Sequence, residues 1–222
     1  MTSAADRPRN RIRRISLTES IAQELSTQIL NGEIAPGANL REVELSQDLG
    51  VSRQSLRAAM AQLSSRGLLQ HEMNRGFWVP VLTREDAKDI FELRELIEGE
   101  AARRLARNLD RIDPVLDALR KMERLDPDVG WGEYLEVHFD LHRAIVAATG
   151  SPRLLRHFEM LSAEAWVSLL PSRQSERYGS PHAQLAGHQA LVDAIRSGDE
   201  TRAVEAVRTH LWGGFDDLYP AD

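Results

Sequence analysis

The chain has 222 residues, no cysteine and a net charge of −6, with 42% hydrophobic and 28% charged residues. Those values exclude a disulfide framework and a thiolate metal site, and they allow one large core or two modest ones. No apolar run approaches the ~20 residues that cross a bilayer, and the opening MTSAADRPRNRIRR lacks the apolar centre of a secretion signal. A reducing, cytoplasmic location is therefore expected.

The charge is unevenly spread. Residues 1–80 hold ten Arg against eight Asp or Glu, giving +2, and the remainder holds 18 basic against 26 acidic residues, giving −8. Arg7, Arg9, Arg11, Arg13 and Arg14 make residues 1–15 a basic, disordered arm. Such an arm either follows phosphates and enters a minor groove or simply solvates the terminus.

Ser16 with Glu19 has the spacing of a capping box, opening a helix through Ile21, Leu25 and Ile29 that Gly32 closes. Leu40, Val43, Leu45 and Leu49 predict a short second helix ending before Gly50. Val51 lies in a turn, and Ser52 is a good N-cap for a third helix running to about Arg66. Leu56, Ala59, Met60 and Leu63 form its buried face. Arg53, Gln54 and Arg57 fall on the opposite side, near the N-terminal end that enters a major groove in helix-turn-helix proteins. Arg53 and Arg57 are four apart, so both guanidinium groups reach guanine edges or phosphates from one face, and Gln54 and Ser55 add shorter polar reach. Leu68 to Val79 then reads as a two-stranded wing turning at Asn74-Arg75-Gly76. Two arginines on an amphipathic helix could be no more than a solvated face. The joint spacing of turn, N-cap, arginines and wing argues for DNA binding instead.

Ser16 to Val79 resembles the winged helix of the GntR family of bacterial transcription regulators. The residues that carry the resemblance are Ile29-Leu30-Asn31-Gly32-Glu33-Ile34 with Pro36-Gly37, Leu40-Arg41-Glu42 with Leu45, Gly50-Val51-Ser52-Arg53, and Leu68 with Gly76. The family usually continues Thr-Pro-Val-Arg-Glu-Ala-Leu, where this chain has Gln54-Ser55-Leu56-Arg57-Ala58-Ala59-Met60. The arginine is kept and the proline and glutamate are not, so no operator sequence is carried over. The resemblance places Arg41, Ser52, Arg53, Gln54, Ser55, Arg57, Asn74, Arg75 and Gly76 against DNA.

Beyond the wing the pattern is helical throughout. Thr83-Arg84-Glu85-Asp86 is an N-cap signature only a few residues after Val79, opening a long helix with Ile90, Leu93, Ile97, Ala101 and Leu105 on one stripe. Asp113-Pro114 starts a helix carrying Leu116, Leu119 and Met122. Gly130 to Ala148 is another, ended by Gly150, and Ser151-Pro152 caps one reaching Leu170. A polar loop from Pro171 to Pro181 precedes a helix to Ser197 and a last one from Asp199 to about Tyr219. The expected fold is mainly α: a winged helix-turn-helix over residues 16–80, then an all-helical antiparallel bundle over residues 84–220.

Four of the seven histidines sit in this bundle at suggestive places: His138, His142, His188 and His210. His138 and His142 are one helical turn apart, and antiparallel packing can bring His188 and His210 to the same point. Four neutral imidazoles suit zinc, with nickel or a similar ion next, better than calcium or magnesium. His71, His157 and His182 fit no such pattern.

The region resembles the FCD domain, the ligand-binding bundle of one GntR branch. The matches are Glu92-Leu93-Arg94 with Glu98, Leu141-His142-Arg143-Ala144-Ile145, Gly150-Ser151-Pro152, His188 with Ala194-Ile195 and Gly198-Asp199, and His210-Leu211. In metal-binding members three histidines and an aspartate hold the ion. His142, His188 and His210 match the histidines, and His138 stands where the aspartate would be. Replacing the carboxylate leaves a divalent ion with more net charge, which favours an anionic ligand. Two alternatives stay open: a three-histidine site with water or Asp140 nearby, and a polar cavity without metal.

Arg94, where the family keeps an arginine near its pocket, is the candidate cation for a small carboxylate effector. Its alternative is an i,i+4 ion pair with Glu98 on a solvated face. Trp131, Trp166 and Trp212 read as core or pocket wall. The resulting expectation is a homodimeric, non-enzymatic repressor that binds a palindromic operator and answers to an organic acid. The rival is a metal-dependent hydrolase using the histidine site, with Asp140 or Glu136 near it and no HExxH motif.

Overall fold

The computed structural model describes residues 16–170 and 181–220. The arginine-rich arm and the loop at 171–180 lie outside them, and the side chain of His182 is likewise not described.

The first helix, α1 (Leu17–Leu30), begins where the Ser16 hydroxyl accepts the Glu19 N–H at 3.1 Å. It buries Ile21, Ala22, Leu25, Ile29 and Leu30, the three- and four-residue spacing of a single face. A short strand, β1 (Asn39–Leu40), leads into α2 (Glu42–Asp48) and then α3 (Arg53–Ser65). Strands β2 (Gln70–Glu72) and β3 (Gly76–Trp78) form the wing. The sheet is antiparallel in the order β1-β3-β2, with Leu40 opposite Phe77 and Glu72 opposite Gly76.

Leu40 is thus a strand residue and does not begin a helix. Arg41 is extended (φ −82°, ψ 107°) and acts as N-cap, so α2 starts at Glu42. The shift rotates the stripe, leaving Val43 half exposed while Ser46 is buried. The third strand was missed because two residues are too few to show alternation. On α3, Ser52 caps Ser55 N–H at 3.1 Å, and Leu56, Ala59, Met60 and Leu63 are buried as the spacing predicts.

The bundle opens with α4 (Arg84–Arg107), whose capping box is complete between Thr83 and Asp86. After a 3-10 turn at Leu109–Arg111 come α5 (Asp113–Glu123), α6 (Trp131–Ala148) and α7 (Pro152–Ser168). They are followed by α8 (Pro181–Arg196), α9 (Glu200–Trp212) and α10 (Phe215–Leu218). The long last helix expected from the sequence is two, broken at Gly213-Gly214. A side chain at Gly213 would meet the Thr209 carbonyl at 2.7 Å, and the break folds Phe215 onto Phe91 and Trp212. Tyr219 then donates its hydroxyl hydrogen to the Ser168 carbonyl at 2.7 Å.

α4 lies at the centre, packed against α6, α7, α8 and α9. Its buried face holds Ile90, Ala101 and Leu105 as the spacing predicts, together with Ala87, Phe91, Arg94, Glu98 and Ala102, whereas Leu93 is 48% exposed. The expected stripe holds at three of its five positions, and the buried face is wider than it because two charged residues also occupy core positions. No helix among the described residues is long and apolar enough to cross a membrane.

Candidate metal centre and DNA-binding face

Three elements beside α4 converge on its two buried charges. α6 supplies His138 and His142 one turn apart, with ring centroids separated by 4.6 Å. α8 supplies His188, and α9 supplies His210, whose ring centroid is 4.3 Å from that of His188. The two helices are in contact there, and a Cβ at Gly187 would stand 3.4 Å from His210 Nδ1. His138, His142 and His188 are buried, and His210 is half-buried with Nε2 turned inward, 3.3 Å from His142 Nε2.

The hydrogen bonds fix which nitrogens face the centre. His142 Nδ1–H donates to Glu98 Oε2 at 2.6 Å, so its Nε2 carries a lone pair. His188 Nδ1–H donates to the Gln184 carbonyl at 2.8 Å, which leaves Nε2 in the same state, 3.0 Å from His138 Nδ1. Glu98 is held in turn by Arg94 Nε at 2.7 Å, with both side chains at most 2% exposed. A carboxylate behind one imidazole and a carbonyl behind another is the arrangement that orients metal-ligating histidines.

Three of the rings, His138, His188 and His210, stay neutral at physiological pH. Burial, then the neighbouring rings and Arg94, holds His138 and His210 well below the ordinary histidine range. Burial and His142 pull His188 down to about 3. Burial alone would raise Glu98, but Arg94 and His142 outweigh it and bring its carboxyl down to about 2. The centre therefore holds inward-facing lone pairs beside one ionised carboxylate, a donor set that fits a divalent ion.

One ring nitrogen each from His138, His142 and His188 lies within 4.8 Å of the others, a group able to hold a metal. The family resemblance placed His142, His188 and His210 together with His138 as the fourth; His210 stands as near, its ring centroid 4.3 Å from His188 and 5.1 Å from His142. Glu98 is the residue that sequence reasoning missed as part of the site. Its signal was available: with Arg94 it falls in helical register with Ala87, Phe91 and Ala102.

Arg94 does pair with Glu98, but in the core and not on a solvated face. Its Nη2 is buried without a hydrogen-bond partner, as is His138 Nε2. Both residues border a cavity of about 50 Å³ that Phe91, His210 and Leu211 also line. Asp140 is not at the site: it is exposed and bound to Lys121 Nζ at 2.8 Å. Trp131 is core, half-buried Trp166 packs on Phe139 with ring centroids 5.5 Å apart, and Trp212 donates Nε1–H to Glu95 at 2.5 Å.

In the N-terminal unit Arg53, Gln54 and Arg57 lie exposed on α3. Arg57 Nε reaches Glu42 Oε1 at 3.2 Å and Arg41 Nη1 reaches Glu44 at 3.0 Å, so two of the three helix-pair arginines have acidic partners without DNA. The Ser52 and Ser55 hydroxyls are 2.9 Å apart, each engaged with the other. At the wing tip Asn74 (φ 77°) and Gly76 (φ 83°) take the left-handed conformation, and Arg75 lies over the Trp78 ring at 3.8 Å. This fixes the arginine against the wing at the height of the turn.

A winged helix with an exposed basic face, joined to a helical bundle with a buried polar centre, defines a DNA-binding regulator with a ligand-responsive domain. The family model for bacterial regulatory proteins of the gntR family matches residues 17–79, and that for the FCD domain matches residues 89–212. The chain is 31% identical over 206 residues to an uncharacterized HTH-type transcriptional regulator of Streptomyces ambofaciens, covering 88% of this chain and 82% of that one. It is 26% identical to a probable D-xylose utilization operon transcriptional repressor of Paenarthrobacter nicotinovorans, covering 93% and 90%. The fold is that of McbR/YncC of E. coli, with a TM-score of 0.72 at 20% identity, over 92% of this chain and 98% of that one. The chain belongs to the GntR family, in its FCD branch. It is a DNA-binding transcription regulator with an effector-binding domain and not an enzyme; the hydrolase reading is set aside.

Proposed function

We propose that this protein is a cytoplasmic, homodimeric repressor that releases a palindromic operator when a small organic anion binds beside a metal ion in the bundle. The observation that carries this reading is the buried Arg94 Nη2, without a partner, at a 50 Å³ cavity shared with His138 and His210. By the rule that ~10–15 Å³ holds one water, the cavity takes on the order of three to five waters, room for a carboxylate group.

His138, His142 and His188 would hold the ion, with His210 completing the set. Zinc is the first choice for neutral imidazoles, and nickel or a similar ion the second. The metal supplies an exchangeable position for one anion oxygen. Arg94 orients the anion, and Glu98 keeps His142 in the ligating tautomer while balancing Arg94. Wall residues such as Phe91 and Leu211 exclude water and so strengthen the charge interactions.

On the DNA side, Arg53, Gln54 and Arg57 read the major groove with Ser52 and Ser55 at the helix start. Arg41 and the wing residues Asn74, Arg75 and Gly76 approach the backbone. A ligand with unequal affinity for two placements of the winged helices shifts operator occupancy. The name repressor follows the Paenarthrobacter relative. The test is selection of genomic fragments by the full chain, followed by titration of small carboxylates against zinc-loaded protein on the selected DNA. Enrichment of a palindrome and carboxylate-dependent release are expected. No enrichment above bulk DNA rules out the operator, and release that is the same without zinc rules out the metal.

A further inference from the structure

We propose that Asn31 is a positioning residue that couples the histidine centre to the recognition helix, by capping α6 from within the DNA-binding unit. The proposal rests on the metal-site reading above and goes beyond it in naming the joint between the two units.

α6 has no cap of its own. Its N-cap is Gly130, extended at φ −60° and ψ 144°, with no side chain to accept a first-turn N–H. The Gly132 N–H donates instead to Asn31 Oδ1 at 2.9 Å, across 101 residues of sequence. Asn31 is itself the C-cap of α1, so the end of one helix satisfies the beginning of another. Glycine at 132 leaves room for the contact: a Cβ there would stand 3.2 Å from Asn31 Oδ1, close enough that the amide would have to give way by a few tenths of an ångström.

Each partner leads to one of the two sites. α1 packs along α3, which carries Arg53, Gln54 and Arg57. α6 runs unbroken from Gly132 to His138 and His142, six and ten residues on, or about 9 and 15 Å at ~1.5 Å per residue. α6 is therefore a rod with metal-holding rings at its middle and one directional hydrogen bond at its end. A displacement of α6 that differs between loaded and empty centres meets α1 at Asn31, and α1 bears on α3.

Hydrogen exchange of the full chain with and without zinc tests this, in the wild type, Asn31→Ala and Asn31→Asp. The aspartate keeps an acceptor oxygen at the N-terminus of α6, where its charge is favourable, while the same charge is unfavourable at the C-terminus of α1. In the wild type and Asn31→Asp, zinc is expected to slow exchange in α6 and change it in α3 by about fivefold or more. In Asn31→Ala the α6 response should persist with unchanged zinc affinity, and the α3 response should vanish. A merely structural cap would alter exchange in α6 whether or not zinc is present. An α3 response equal in Asn31→Ala, or absent from the wild type while α6 responds, overturns the proposal. No α6 response to zinc in any chain overturns the metal-site reading, and the coupling with it.

Discussion

The two units use charge in opposite ways. The winged helix has an apolar core of Ile21, Leu25, Leu56, Met60 and Leu63 and keeps its arginines outside. The bundle places Arg94, Glu98, His138, His142 and His188 inside, among Phe91, Tyr134 and Leu141. DNA recognition needs charges that exchange water for phosphate, so exposure costs nothing there. A receptor for a small charged ligand needs groups already stripped of water and held in place, and those groups must satisfy one another until the ligand arrives. The bundle is consequently the unit in which a single polar substitution threatens the fold.

The largest effect that would break this contrast is expected at Glu98. Glu98→Ala leaves Arg94 as an uncompensated buried charge and should destabilise the chain by about 3–5 kcal/mol in denaturant unfolding. Loss of less than 1 kcal/mol would mean that water reaches the pair. Leu56→Ala, in the head, should cost about 2–5 kcal/mol through its cavity alone, with no change in zinc affinity. Next, zinc at a hundredfold excess over its dissociation constant should add ~2.7 kcal/mol to wild-type stability. His142→Ala should lose that increment and spare operator binding; failure to fold would instead give His142 a structural role.

The metal-free chain should also lose stability as acid is added. His138, His188 and His210 titrate below their ordinary value in the folded state, so the unfolded chain takes up protons first, below the usual histidine pKa of about 6.5. Their contribution is present above that pH and is lost as pH falls toward about 3, where His188 titrates. Glu98, held at about 2, adds a second loss below the ordinary carboxylate range. Thermal unfolding across pH 7 to 5 measures the first slope, and a flat profile contradicts the buried neutral rings.

Arg53→Ala should weaken operator binding by about 1–3 kcal/mol and leave stability unchanged, as expected for an exposed base-reading arginine. Smallest is Arg41→Ala, whose pair with Glu44 is exposed and worth at most about 1 kcal/mol of stability. Its effect on DNA affinity should show mainly as a shallower salt dependence.

The legibility of each unit follows the same contrast. In the head, period and capping were enough: Ser16 and Ser52 cap the predicted helices, and the positive φ of Gly50 and Gly76 marks the turns. The departures there, Leu40 in a strand and α2 starting at Glu42, come from an element too short to carry a period. In the bundle, the apolar pattern of α4 placed Ile90, Ala101 and Leu105 in the core but left out Arg94 and Glu98, core residues that no hydrophobicity rule counts as such. The last helix was drawn too long because the Gly213-Gly214 break depends on where Phe215 finds a partner.

The sequence by itself determined the helices, the wing, the exposed arginines of α3 and the one-turn spacing of His138 and His142, since these follow from local geometry. Only the tertiary structure decided that Arg94 and Glu98 are buried and that His188 and His210 meet the first two rings. It also decided that Asn31 closes the end of α6. Burial and convergence are properties of the neighbouring helix, and no residue carries its neighbour's position in its own periodicity.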